Sequence, residues 1–302
     1  MENPLYELTE REEWLVFRGY NYQDVQRLCY FDDNTIKEVS KKIFDDITST
    51  CSRVTNPVCY YLGGQPGSGK SVHAHKIKKA FPDNNVVIIC FDNYRSYHPN
   101  YLKIEELIKK HWENRVETNN DSMGNDIADF THHFASMITD ELAMTLSDPV
   151  DGKGYNIVFD WGLRFPKEPL EIMTKYKRKG YRNEVLFIVV SEDISREACK
   201  LRSDVVKGRQ HLIRKVCDDF HDLCVSTLPD SVSCIYRVGR LNKIVDNFAL
   251  INRNKDIVWD KNSSEPVREV YYNYLHDKSL RFTNNIDDMV ETYNEETRGF
   301  QL

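Results

Sequence analysis

Four stretches of the chain are continuously apolar and rich in strand-forming residues: VCYYLGG, VVIICFD, YNIVFD and EVLFIVV. Uninterrupted runs of this kind fit strands buried on both faces, and amphipathic helical segments separate them. The pattern predicts a parallel sheet with helices on both faces. Ahead of it, the chain to about Ser52 reads as helices: Thr9 and Glu12 fit a capping box, and Asn34 is placed to cap a run that carries Ile36, Val39, Ile43 and Ile47 on one side. Beyond it come two charged helical stretches from about Ser195 to Thr227. NFALIN and DIVWD then flank Arg253, Asn254 and Lys255 as a hairpin would, and the tail from Glu265 is helical again. We therefore divide the chain into a helical N-terminal extension, 1–52, and a larger domain, 53–302, that ends in the hairpin and helices.

Composition narrows the range of functions. The 302 residues are 40% hydrophobic and 29% charged, the profile of an ordinary globular protein. A net charge of -6 provides no general basic field, so nucleic acid is not an expected partner. No stretch approaches the length of a membrane span and the N-terminus lacks the form of a secretory signal, so the expected location is the cytoplasm. The eight cysteines form no CxxC pair or metal-like spacing. Cys59 and Cys90 fall within predicted strands, where a thiol packs as a small hydrophobe.

The first apolar run ends in glycines, and Gly64-Gln65-Pro66-Gly67-Ser68-Gly69-Lys70-Ser71 satisfies GxxxxGK[ST] in full. A helical pattern follows from Lys70 to Ala80. Strand, glycine loop and helix in that order build a phosphate cradle. Backbone N–H groups line it, Lys70 neutralises β- and γ-phosphate charge, and the Ser71 hydroxyl ligates Mg²⁺. The expected fold is α/β, a three-layer P-loop NTPase-like arrangement, with ATP and Mg²⁺ as cofactors. GTPases read guanine with NKxD, whereas Asn242-Lys243-Ile244-Val245-Asp246 is one residue too long, and Asp160-Trp161-Gly162 misses the DxxG spacing. A small-molecule kinase is the reading that remains.

The second strand delivers Asp92 at its carboxyl end, the edge where ligands bind in doubly wound sheets. A carboxylate there is suited to accept a proton from an acceptor hydroxyl, and an aspartate there is equally suited to cap a helix. The residues that follow, Asp92-Asn93-Tyr94-Arg95-Ser96-Tyr97-His98-Pro99-Asn100-Tyr101, decide between the two. GGQPGSGKS followed by D-x-[FY]-R-x-x-H-P-x-Y resembles the zeta/PezT toxin family, which transfers the ATP γ-phosphate to the 3′-hydroxyl of UDP-N-acetylglucosamine. The resemblance runs from about Val58 to Lys261. It implies that Asp92 is the catalytic base and Lys70 the phosphate-binding lysine. It further implies that Arg202 and Arg214 hold the triphosphate, with Arg209 as a competing candidate, and that Arg95, His98, Asp140, Asp160 and Arg164 serve the acceptor side. Asp160 also stands with Ser71 as a metal-site candidate.

This sequence departs from the family in three places. Asp140 and Asp160 are each one methylene shorter than the family's glutamates, and Gly162 replaces a threonine that contacts the sugar nucleotide. The ATP half matches and the acceptor half is altered, so another nucleotide-linked hydroxyl, such as the NAD ribose, stands as an alternative acceptor. A non-catalytic nucleotide-binding switch is the reading from a different class, and the complete segment from Asp92 to Tyr101 counts against it. A polynucleotide kinase would need a basic groove with aromatic platforms. The resemblance also implies a toxin–antitoxin setting, with the N-terminal helices receiving an antitoxin, inhibiting in cis, or simply capping the sheet.

Overall fold

The computed structural model describes residues 6–113, 120–206 and 216–279. The chain divides into two compact units. One is assembled from residues 1–44, 91–142 and 206–217, the other from 45–90, 143–205 and 218–302.

The second unit holds a six-stranded sheet in the order β2-β3-β1-β4-β5-β6. Its strands are β1 (Val58–Gly63), β2 (Val87–Cys90), β3 (Ile157–Asp160), β4 (Arg182–Ile188), β5 (Asn247–Ile251) and β6 (Ile257–Asp260). β1 pairs in parallel with β3 on one side and β4 on the other, and only the β5–β6 pair is antiparallel. That pair is the expected late hairpin. Alternation along the strands sends side chains to opposite faces. Leu62, Val158 and Ile188 pack with Ala74 and Ile77 of α4 (Lys70–Ala80). On the other face Tyr61 stacks on Phe159, whose ring meets the edge of Tyr176 in α7 (Lys167–Arg178). The remaining helices of this unit are α8 (Glu192–Val206), α9 (Asp218–Leu241) and α10 (Val267–Leu275). Apolar faces on both sides of each strand thus give the three layers that continuous apolar runs predict. Cys59, the second residue of β1, is fully buried, and burial raises its thiol pKa well above the usual range.

The first unit is helical. It contains α1 (Glu10–Phe17), α2 (Tyr22–Cys29), the 3₁₀ turn Phe91–Tyr97, α5 (Tyr101–Glu113), and most of α3 (Asp33–Thr48) and α6 (Asn120–Ser147). Leu15, Val25, Leu28 and Cys29 share one core with Ile104, Ile108, Trp112, Ile127 and Phe130. The N-terminal helices are therefore built into the same core as α5 and α6, and the compact units do not divide at residue 52. At the centre of this unit Asp126 is fully buried. It accepts hydrogen bonds from the Tyr20 hydroxyl at 2.6 Å and Trp112 Nε1 at 2.8 Å, and pairs with Arg18 at 2.9 Å. Two hydrogen bonds and an ion pair offset the desolvation of that carboxylate, whose pKa burial nonetheless raises.

The helix ends follow local chemistry, with one correction. The Glu12 carboxylate accepts from Thr9 N at 2.7 Å, as the capping box requires. Asn34 does not cap α3. The helix starts one residue earlier, at Asp33, and Asp32 Oδ1 accepts from both the N–H and the hydroxyl of Thr35 at 2.7 Å. Asp32 gains by lying outside the first turn, where its carboxylate also meets the positive end of the helix dipole. Accordingly, Asp32→Ala is expected to lower stability by about 0.5–2 kcal/mol in urea unfolding, with Asn34→Ala near neutral. Equal losses for the two variants would return the cap to Asn34.

Candidate active site

The loop leaves β1 at its carboxyl end, where β3 and β4 continue the sheet in opposite directions. Its bends depend on glycine. Gly67 has φ +76°, and a Cβ there would collide with the carbonyl oxygen of Ser195 in α8. Gly64 has φ +137°, with Ile188 O 2.7 Å from any Cβ. Gln65 is fully buried: its Nε2 donates to Val190 O at 2.9 Å and its Oε1 accepts from the Tyr271 hydroxyl at 3.1 Å. The side chain of Gln65 thus anchors the loop, leaving any ligand contact to its backbone. Lys70 Nζ donates to the Gly64 and Gln65 carbonyls at 3.0 and 3.1 Å, which draws its ammonium across the loop.

Among the described residues, no protein acceptor takes the backbone N–H of Gly67, Gly69, Ser71 or Val72. The Ser68 hydroxyl is buried without a partner, and the first turn of α4 carries no acid. Unsatisfied donors at a helix N-terminus whose own first turn carries no acid suit an anion.

The structure brings Ser71 and Asp160 together. The Ser71 hydroxyl, in the first turn of α4, donates to Asp160 Oδ2 at the carboxyl end of β3 at 2.6 Å. Two hard oxygens at the edge of a phosphate cradle suit Mg²⁺. Beyond β3, the carbonyl of Gly162 accepts from Gly64 N at 3.3 Å, and a Cβ on Gly162 would meet nothing within 4 Å. The shape of this segment is set by Leu163, at φ +52°, whose carbonyl accepts from Ser231 Oγ of α9 at 2.5 Å. Arg164 lies between two rings, 4.2 Å from the Phe165 centroid and 5.0 Å from that of Phe220, with its buried Nη1 unpartnered. Stacking fixes the plane of the guanidinium and leaves a donor for an anionic or carbonyl group.

In the helical unit, Asp92 lies in the 3₁₀ turn two residues beyond β2. Arg95 Nε holds its Oδ1 at 2.8 Å, and Arg95 Nη1 reaches back to Ala128 O at 2.7 Å and Thr131 Oγ1 at 3.2 Å. Arg95 is buried and Asp92 is half-exposed. The buried arginine therefore orients the more exposed carboxylate from α6. His98 is buried against Phe31 and Phe134, and its Nδ1 accepts from Asn100 N at 3.1 Å. Asp140 lies on an exposed position of α6. Arg209 and Arg214 fall outside the described residues, as does the side chain of Arg202 on α8.

Arg253 has no place among the site residues expected from sequence. Its guanidinium donates to the Gly67 carbonyl across 186 residues of chain. A lone arginine in a predicted hairpin turn carries no signal of that reach.

A central parallel strand feeding a glycine-bent, amide-lined loop with a lysine across it defines a P-loop protein. Comparison with known proteins narrows that class: the chain belongs to the zeta toxin family, whose sequence profile matches residues 40–264. It is similar to toxin PezT of Streptococcus pneumoniae, 24% identical over 233 residues, covering 76% of this chain and 82% of the relative. It is also similar to toxin zeta of Streptococcus agalactiae, 24% identical over 215 residues, 71% of this chain and 68% of the relative. Among solved structures, one from a study of the PezAT chromosomal toxin–antitoxin system of S. pneumoniae superposes with a TM-score of 0.63 at 21% identity. That match covers 90% of this chain and 98% of the other and bears out the α/β P-loop fold. No helix among the described residues is long and apolar enough to cross a membrane.

His98 makes the helical unit sensitive to acid. Burial lowers its pKa from 6.5 to about 4, and protonating Nδ1 would remove the acceptor for Asn100. Between these values the unfolded chain binds more protons than the folded one. The stability that His98 contributes is present above about pH 6.5 and falls toward pH 4, by up to about 1.4 kcal/mol per pH unit. Urea midpoints measured between pH 7 and 5 should decline, and His98→Asn should flatten part of the decline. An unchanged slope in that variant would place the acid sensitivity elsewhere.

Proposed function

We propose that this protein is an ATP-dependent kinase that transfers the γ-phosphate to a hydroxyl of a nucleotide sugar, the 3′-hydroxyl of UDP-N-acetylglucosamine, as the toxin of a toxin–antitoxin pair. The observation that carries the reading is the loop: open amides, a lysine across them, and the Ser71–Asp160 pair at one edge. Such a loop receives a triphosphate. Ser71 and Asp160 would hold Mg²⁺, which when bound neutralises charge on the β- and γ-phosphate oxygens. Lys70 would exchange its loop carbonyls for phosphate oxygens.

On the acceptor side, Asp92 takes the proton of the attacking hydroxyl. A bond forms between that oxygen and the γ-phosphorus, the bond to the β-phosphate oxygen breaks, and ADP leaves. The Arg95 contact supports this role, because it fixes a half-exposed carboxylate without burying it. Arg202 and Arg214 would stabilise charge on the transferred group, while Arg164, Asp140 and Asp160 contact the acceptor. His98 supports that side from within the core. The departures at Asp140, Asp160 and Gly162 leave a second reading, in which the hydroxyl belongs to another nucleotide such as NAD.

The partner would be a separate antitoxin chain. The PezAT structure concerns such a pair, and here α1 and α2 are packed into a core with α5 and α6, which argues against a detachable inhibitory segment.

The test is incubation with ATP, Mg²⁺ and a mixture of UDP-sugars and dinucleotides, read by mass spectrometry for the gain of one phosphate. Lys70→Ala should abolish the product. Asp92→Asn should keep ATP affinity and lose about 10²- to 10⁴-fold in transfer rate. A folded Asp92→Asn protein that transfers at the wild-type rate would remove Asp92 as the base.

A further inference from the structure

The turn of the β5–β6 hairpin is built to hold one side chain against the phosphate loop. Asn252 Oδ1 accepts from the N–H groups of Asn254 and Asp256 at 2.9 and 3.0 Å, and Asn252 N donates to Asp256 O at 3.0 Å. Lys255 completes the turn at φ +71°. From this braced turn Arg253 extends to the loop and donates through Nη2 to the Gly67 carbonyl. Its Cγ and Nε lie 3.9 Å from where a Cβ on Gly69 would stand, so the side chain runs along the outside of Gly67–Gly69. On another side α8 closes in, with Ser195 O and Cys199 Sγ both occupying the space that a Cβ on Gly67 would need. Burial makes this a poor place for a guanidinium and lowers its pKa.

We infer that Arg253 is a positioning residue for the phosphate loop: it holds the Gly67 carbonyl outward so that the loop is already concave, with its amides exposed, before nucleotide arrives. The inference rests on the reading of the loop as an ATP site. The Gly67–Ser68 peptide is held at both ends, its carbonyl by Arg253 and its N–H by Gln65 O at 3.1 Å, so turning that oxygen toward a phosphate would break both bonds. Holding the loop in its binding form beforehand removes an ordering cost from the binding step. The side chain acts through Gly67, so its effect belongs to nucleotide affinity and not to the chemical step.

The experiment compares wild-type protein, Arg253→Ala and Arg253→Lys for ATP–Mg²⁺ affinity by calorimetry and for the KM and kcat of ATP turnover, with circular dichroism melts to confirm folding. Arg253→Ala should raise Kd and KM for ATP about 10- to 100-fold with kcat kept, on the scale of a lost hydrogen bond from a charged group. Lysine, which keeps the charge and a donor, should recover much of the loss. Folded Arg253→Ala that binds ATP as tightly as wild type would overturn the inference. A loss confined to kcat, or a folded Arg253→Lys no better than alanine, would also overturn it. Wild-type protein that binds no ATP would instead overturn the reading of the loop itself.

Discussion

A phosphate loop must keep its own amides unsatisfied. Every backbone N–H aimed at the ligand lacks a partner within the protein, so the hydrogen bonds that would otherwise fix the loop are missing. The shape has to come from contacts made behind it. Here Gln65 is bonded to Val190 and Tyr271, Arg253 to Gly67, and Ser71 to Asp160, while α8 fills the space that a side chain on Gly67 would need. Tyr271 belongs to α10 and Arg253 to the β5–β6 turn, so the last elements among the described residues of the sheet unit help to fix the loop after β1. The late hairpin and α10 are therefore part of the loop's support.

The helical unit meets a different demand. Its 3₁₀ turn presents a carboxylate that is oriented without being buried. Arg95 does this by placing its own guanidinium inside, bonded to α6, and giving only Nε to Asp92. Stiffness behind the turn comes from a core in which α1 and α2 interlock with α5 and α6 around the Asp126 network. Removing those N-terminal helices would therefore expose the apolar faces of α5 and α6 that they cover.

Much of this is legible in the sequence, for identifiable reasons. Continuous apolar strands, GxxxxGKS and the segment from Asp92 to Tyr101 each encode a local requirement, and local requirements survive in one dimension. Ser71 and Asp160 are each singled out in sequence by the motif or strand end they occupy, and their hydrogen bond appears only in the fold. The cap of α3 is ambiguous in sequence because Asp32, Asp33 and Asn34 are all good caps, and only the start of the helix separates them. The packing of α1 and α2 is hidden for another reason: amphipathic periodicity shows which face is apolar but not what covers it. Gln65 reads as part of the phosphate site, whereas its side chain works from behind the loop. Arg253 reads as a turn residue because its partner lies 186 positions away.

If the amides of Gly67, Gly69, Ser71 and Val72 are held open for the phosphates of ATP, they must respond to the nucleotide before any chemistry occurs. Backbone amide resonances of the wild-type protein, followed by NMR as ATP–Mg²⁺ is added, report on them one by one. Large shifts and slowed hydrogen exchange are expected at these four amides, with adenosine producing neither. Amides that stay unmoved at ATP concentrations sufficient for turnover would contradict a phosphate-binding role for the loop.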